Sequence, residues 1–578
     1  MLAGSMCVLP FLLPYHQLPI KSFQAEWLAV ALGIVAVLAF ARAPGIAFPV
    51  SARWLLVFAL LLLTHSLLGA PAYPQLPLTG ALYVLYAGLM ILLGARLAAS
   101  LSLDRAATSL ACFLLAGALL TALAGVIQFY GRPVWLEDLV AELRGGRAYG
   151  NIAQSNLYAL YLAWGLASLL FLWVRGNVST GCMLAGTAVL NLAAVLSGSR
   201  GWLLYLFWIA LLLYLSCRQR MPAETGRRRI ILAILFMTTI IQVGIPWMNQ
   251  YFELGASSPG GLERALSPVN YAVDSRWPAW LMGWRIFTGN MLFGTGLGEF
   301  AGAAFAEGLP LLMAQQGTVW TSPHNILLQL LAETGIAGTI LVAGALATWC
   351  WKVARTCDDT PVSPAVSWVI ACVGVIAIQS LIEYPLWNAH FLGVTALLMG
   401  LVEASAAPVT RLGATVSRVI MGTASLVMGI ALAVILRDYV KLDSVLITGT
   451  TQTLSTEAQR ERDKSVVIQV AQGPLSPIAE LWLMRGLPLN RADLPDKLAM
   501  SARVIRYWPE NSIVTRRAVL LALAGNKAEA GLLLAHTLKT FPALCGQTKA
   551  ILAQTAAADN AAIAPLHHLV DKLVPHCR

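Results

Sequence analysis

Apolar runs that are long enough, or nearly so, to cross a bilayer recur along most of this chain. A membrane-spanning helix needs roughly 20 predominantly apolar residues. Runs at 4–19, 26–41, 54–70, 78–99, 107–130, 156–174, 181–197, 201–217, 230–248, 325–350, 365–382, 386–402 and 418–436 meet or approach that length. They predict an all-α polytopic membrane protein with about 12–13 transmembrane helices. Only 12% of residues are charged, against roughly 25% in soluble domains. The formal net charge of +11 would suggest nucleic acid in a soluble chain. Here the basic residues sit between apolar runs, so topology explains them and no nucleic-acid partner is expected. The N-terminus runs straight into apolar sequence with no basic n-region, which reads as a retained first helix.

Positive charge sets orientation. With the N-terminus inside, the inner loops receive Arg42, Arg53, Arg96, Arg105, Arg175, Arg218, Arg220, Arg227, Arg228, Arg229, Lys352, Arg355, Arg411 and Arg418. The short outer loops receive only Lys21, Arg132, Arg144, Arg147 and Arg200. This orientation places 131–155, a large loop at about 249–324, and everything after 436 on the outer, periplasmic face. The expected organisation is a membrane-embedded domain over 1–436 and a periplasmic helical domain over 437–578. In that tail, Trp508-Pro509 and Phe541-Pro542 stand 33 residues apart. That period fits tetratricopeptide helix pairs; a generic helical bundle fits as well. Cys545 and Cys577 both fall in the tail, where a periplasmic setting allows a disulfide between them.

The outer segments carry the candidate chemistry. Gly146-Arg147-Ala-Tyr-Gly150-Asn-Ile-Ala-Gln154-Ser-Asn156 combines close-approach glycines with a guanidinium fork and neutral amide donors, a set suited to an anionic or sugar ligand. An ordinary helix start capped by Asn151 or Ser155 is the plainer account. Arg200, in Ser197-Gly-Ser-Arg-Gly-Trp202, is costly between two apolar helices unless it pairs, binds an anion or snorkels. Arg276, Trp280 and Trp284 share a helical spacing that fits an interfacial helix with its arginine toward phosphate. Gly294-Thr-Gly296-Leu-Gly298 reads as a tight turn, since a dinucleotide site needs a strand–helix context.

Thr321-Ser322-Pro323-His324-Asn325 precedes a long apolar helix. Ser322 suits the cap, Pro323 the first turn, and His324 the helix N-terminus, whose dipole favours a neutral imidazole able to accept a proton. His16 reads as structural. Glu383-Tyr384-Pro385 breaks two apolar helices at the outer edge, where both side chains can orient a base or an acceptor hydroxyl. Glu333 lies half a helical turn away from His324 and reads as structural.

Taken in this order, the glycine/arginine loop, the Arg200 turn, the long loop with Arg276, Pro323-His324-Asn325 and Glu383-Tyr384-Pro385 resemble the O-antigen ligase superfamily. Within it the chain looks most like the bacterial protein O-oligosaccharyltransferases of the pilin-glycosylating branch. The resemblance implies transfer of a glycan from an undecaprenyl-diphosphate carrier to a Ser/Thr hydroxyl of a pilin-like acceptor protein. The active site is then on the periplasmic face of the bacterial inner membrane. It implies an inverting reaction with no cofactor and no metal. His324 is then the candidate base, Arg200 and Arg276 engage the diphosphate, and Gln154 and Tyr384 are functional. Arg147, Asn156, Asn325 and Glu383 are candidate substrate-binding residues. Arginine neutralises a leaving diphosphate without a metal, and no carboxylate cluster suited to Mg²⁺ stands in an outer loop. Alternatives are a ligase that uses lipid A–core, a glycan polymerase, and a transporter or flippase. The last would bury polar residues at mid-membrane. A role for the tail in acceptor docking is compatible with any of the transferase readings.

Overall fold

The structure is a computed structural model, and the residues it describes are 1–40, 46–69, 71–216, 224–255, 262, 276–308, 319–355, 363–406, 411–451, 457–556 and 560–575. Much of the large loop expected at about 249–324 lies outside these residues, as do Cys217, Cys357 and Cys577. The chain is an all-α polytopic membrane protein. In lipid every backbone N–H and C=O must be bonded within the protein, and a helix does this inside one segment. Among the described residues, eight helices are long and apolar enough to cross a membrane. Shorter apolar helical segments, Leu2–Leu12 (in two pieces), Thr180–Leu196, Gly201–Leu215, Pro364–Ser380 and Ala389–Ser405, fall where the apolar pattern put the remaining spans. Among the described residues, the only strands are a two-residue antiparallel pair, Ile46–Ala47 with Arg411–Leu412.

The first expected span, 4–19, is not one helix. It divides into Leu2–Met6 and Leu9–Leu12 and then runs on as irregular chain through His16. Pro14 and Pro19 remove the N–H groups a continuing helix would need. The expected boundary at 436 falls inside a continuous helix, Ala414–Thr451.

Two compact units emerge. The first comprises Met1–Val57, Tyr83–Ser275 and Val342–Leu432. Its centre is the Ser155–Val174 helix, whose apolar window is 100% buried; the corresponding windows of Arg228–Tyr251 and Ala414–Val445 are 17% buried. An apolar helix buried all round is a bundle core, and one that is apolar but uncovered is left for lipid. Aromatic polar atoms pin the central helix to its neighbours. Tyr161 Oη donates to the Cys7 carbonyl at 2.7 Å, Trp164 Nε1 to the Cys372 carbonyl at 2.8 Å, and Trp368 Nε1 to Ser168 Oγ at 3.0 Å. Small residues let backbones meet elsewhere. A Cβ at Gly94 would strike the Leu397 carbonyl, and one at Gly400 the Ile91 carbonyl, the close approach that small residues permit between membrane helices. Held this way, the N-terminal end of Ser155–Val174 is a fixed platform for the loop before it.

The second unit comprises Phe58–Leu82, Arg276–Leu341 and Ala433–Arg578. Its tail is a run of consecutive helices, with Trp508-Pro509 and Phe541-Pro542 each at the end of one. Buried Ala518, Leu534, Leu552 and Ile563 form its core. Cys545 is disulfide-bonded.

Candidate active site

In the first unit, two buried amides build the loop ahead of the central helix. Gln128 Oε1 accepts from the Tyr149 and Gly150 N–H groups at 2.9 and 3.0 Å, and its Nε2 donates to the Ala141 and Gly150 carbonyls. Asn151 Oδ1 accepts from the Ala141 N–H, while its Nδ2 donates to the Leu12 and Leu139 carbonyls. These bonds hold Gly150 and Ala153 at positive φ, 53° and 64°. A non-glycine residue there costs energy and marks a conformation fixed by its surroundings. The chain then turns into the helix at Gln154, whose Oε1 accepts from the Leu157 N–H at 2.7 Å. The helix cap is therefore Gln154, not Asn151 or Ser155. Asn151 is spent on the loop, and Ser155 is already helical.

Asn156, on the first turn, is a hub. Its Oδ1 accepts from Arg147 Nη2 and from Ser199 Oγ, both at 3.1 Å, and its Nδ2 donates to Glu383 Oε1 at 3.1 Å. Arg147 Nε also donates to the Ser197 carbonyl at 2.7 Å. Three separately expected motifs, the glycine/arginine loop, the Ser197–Gly201 turn and Glu383, thus join in one polar network. Arg200 is half-buried in that turn, which Gly198 makes at φ 57°. Tyr384 is 40% exposed.

Two cavities flank the network within this unit. A smaller one of about 210 Å³ reaches Glu383, Tyr384, Asn388 and His390; a wider cleft of about 600 Å³ reaches Arg147, Ser155 and Asn156. Both are lined by His16, Lys21, Ala153 and Gln154. The His16 ring stands at this seam, with Nδ1 3.1 Å from the Lys21 carbonyl and Nε2 3.0 Å from the Asn151 carbonyl. Burial lowers its pKa below the usual 6.5; the two carbonyls oppose this, and the charges of Arg144 and Lys21 reinforce it.

The second unit holds the other candidates. Arg276 directly precedes the Trp277–Gly289 helix, on which Trp277 and Trp284 are exposed and Trp280 is half-buried. Gly294, Gly296 and Gly298, all at positive φ, form the expected tight turn. The Glu333 carboxylate closes it, Oε1 accepting from the Gly298 and Phe300 N–H groups at 3.0 and 3.3 Å. The long helix Ile326–Arg355 breaks at Gly335, φ 64°. The segment beside the break takes up the freed backbone groups: Ile336 N–H donates to the Met291 carbonyl and Thr295 N–H to the Ala332 carbonyl, both at 2.9 Å.

His324 is not in the helix. It stands half-buried ahead of it at φ 52°, in edge-to-face contact with Trp320. Ser322 does not cap; its Oγ accepts from the His324 N–H at 3.1 Å. The cap is Asn325, whose Oδ1 accepts from the Leu327 and Leu328 N–H groups at 3.0 and 3.2 Å. Asn325 can do this because an N-cap residue needs a non-helical backbone and a short acceptor side chain. The tail is tied to the same unit by ion pairs. Arg506 binds the buried Glu299, which also accepts from the Ala72 N–H at 2.6 Å, and Arg503 binds Glu480, which accepts from Tyr73 Oη at 2.7 Å. Among the described residues, no three His, Cys, Asp or Glu side chains converge as a metal site.

Residues 181–343 match the family described as O-Antigen ligase, and residues 367–555 match the one described as virulence factor membrane-bound polymerase, C-terminal. Each match covers less than half of the chain, and together they show that its membrane region is similar to these families in part. It is 29% identical over 373 residues to a General O-oligosaccharyltransferase of Acinetobacter baylyi, an alignment covering 63% of this chain and 62% of that relative. The ligase match contains Arg200, Arg276, His324 and Asn325, and the polymerase match contains Glu383 and Tyr384. Arg147, Gln154 and Asn156 precede both.

Reading the sequence missed Gln128, Asn151 and Ser199 as builders of the site. Gln128 carried one usable signal, a lone amide near the outer end of an otherwise apolar run. Ser199 carried none beyond its nearness to Arg200.

Proposed function

We propose that the chain transfers a preassembled glycan from an undecaprenyl-diphosphate carrier to a Ser or Thr hydroxyl of a periplasmic acceptor protein such as a pilin. The observation that carries this reading is the Arg147–Asn156–Glu383–Ser199 network beside two cavities that share His16, Lys21, Ala153 and Gln154 in their lining. Such convergence of donors and acceptors beside a cavity is what ligand sites require. The disulfide at Cys545 agrees with an oxidising, periplasmic setting for the tail.

In this reading the acceptor oxygen attacks the anomeric carbon of the first sugar. The bond from that carbon to the phosphate oxygen breaks with inversion, and its electron pair leaves with the diphosphate. His324 takes the hydroxyl proton. Arg200 and Arg276 stabilise the charge that grows on the diphosphate, which guanidinium groups do as fixed cations. Gln154 and Tyr384 orient the reacting groups. The match of 367–555 to a polymerase description favours one second reading, the joining of two carrier-linked glycans.

The deciding experiment is expression with a lipid-linked glycan pathway and a pilin, comparing wild type with His324→Ala. Glycosylated pilin only in the wild type is the expected result. Modified lipid A–core would instead make the chain a ligase, lengthened carrier-linked glycan would make it a polymerase, and pilin still glycosylated by His324→Ala would remove His324 from its role.

A further inference from the structure

Four of the five outer-loop cations that depart from the positive-inside pattern line one cleft. Lys21, Arg132, Arg144 and Arg147 all face the cavity of about 600 Å³ in the first unit. That volume lies within the range of small-ligand clefts, about 300–1,000 Å³. Three carboxylates, Glu137, Asp138 and Glu142, line the same wall. The pairs among them are loose: Arg132–Glu137 at 3.9 Å and Arg144–Glu142 at 3.7 Å, with the glutamate side chains 54% and 67% exposed. Exposed pairs of this kind add little to stability. Arg132 also holds the loop through the Glu137 and Val140 carbonyls at 3.2 and 2.8 Å, so Lys21 and Arg144, both exposed, are the cations left for a ligand.

Mixed cations and carboxylates do not make a simple anion site. They do suit a ligand whose every polar group is both donor and acceptor, as a hydroxyl is. Tyr15, 45% exposed on the same wall, adds a ring face for the apolar side of a sugar. The cleft is also continuous in its lining with the smaller cavity, through His16, Lys21, Ala153 and Gln154.

We propose that the wide cleft is a glycan subsite, holding the sugars of the donor beyond the one that forms the new bond. This rests on the transfer reading. The cleft would then set the preference for donor chain length and account for basic residues kept on the outer face against the topological rule.

The test uses the full chain in nanodiscs with undecaprenyl diphosphate carrying one or five sugars of the same glycan. Relative to wild type, Lys21→Ala combined with Arg144→Ala is expected to lower the ratio of kcat/KM for the five-sugar donor over the one-sugar donor about tenfold. Asp138→Asn should move it in the same direction. Both side chains of the double variant are exposed, so folding is not at stake. A ratio unchanged in both variants overturns the subsite. Saturation-transfer binding of the free five-sugar glycan separates this from failure of the transfer reading. Binding to wild type that is lost in the double variant supports the subsite even when no acceptor is modified. Equal binding, or none to wild type, overturns it.

Discussion

Asn156 Nδ2 donates to Glu383 Oε1 at 3.1 Å, joining side chains 227 positions apart in the chain. Glu383 is 6% exposed, and a buried carboxylate that loses a donor bears the cost of its desolvation. Asn156→Ala also strips partners from Arg147 and Ser199. It should cost about 1–3 kcal/mol of stability and lower glycan transfer by at least about 100-fold. Glu383→Gln keeps an acceptor oxygen and should retain most of the stability while losing activity. Thermal melts in detergent alongside a transfer assay check both. Wild-type activity in Asn156→Ala would remove the network from function.

His324 occupies φ 52°, where glycine is at ease and histidine is strained. His324→Gly is therefore expected to melt at or above the wild-type temperature, with a gain of up to about 1 kcal/mol, while abolishing transfer. His324→Ala should be inactive without the gain. A large loss of stability in the glycine variant would show that the ring is there for packing against Trp320.

Gly335 sits at the helix break with φ 64°, and a Cβ there would strike the Leu292 and Phe293 backbone. Gly335→Ala meets both obstacles at once and should destabilise by about 1–3 kcal/mol or more. The expected readout is a lower melting temperature and faster hydrogen exchange at Ile336 and Ala337, whose N–H groups bond to the Met291 and Leu292 carbonyls beside the break.

Arg506 neutralises Glu299, which is only 6% exposed. Removing it strands a buried charge, although the arginine itself is half exposed, which reduces the effect. Arg506→Ala should loosen the tail by about 1–2 kcal/mol, read as faster limited proteolysis after residue 451. Deleting the residues after about 440 should spare carrier binding and impair acceptor choice. Unchanged acceptor use in the truncated protein would exclude docking by the tail.

The His16 pKa is lowered from 6.5, first by burial. The native state then holds fewer protons than the unfolded chain between the folded value and 6.5, so stability rises with pH across that window and its His16 contribution is complete above it. Acidifying below 6.5 should lower the melting temperature, and His16→Gln should flatten that slope. Protonation would let both ring nitrogens donate to their carbonyls, but that gain is smaller than the burial cost. A wild-type profile already flat below 6.5 would refute this balance.

The long apolar runs of the chain determined its class, because a bilayer admits little besides helices long enough to cross it; eight of the helices are long and apolar enough to cross among the described residues. The motifs around Gln154, Arg200 and Glu383 were legible for a related reason: polar groups interrupting apolar runs are expensive and so conspicuous. Tertiary structure decided what those groups bind. Asn151 does not cap because its acceptor is taken by the Ala141 N–H of the folded loop, and Ser322 does not because the turn at His324 directs the His324 N–H to it; the identity of the residues does not encode either loop conformation. The union of Arg147, Asn156, Ser199 and Glu383 likewise arises only when their elements pack, since side-chain hydrogen bonds reach about 3 Å while Ser199 and Glu383 stand 43 and 227 positions from Asn156 in the chain.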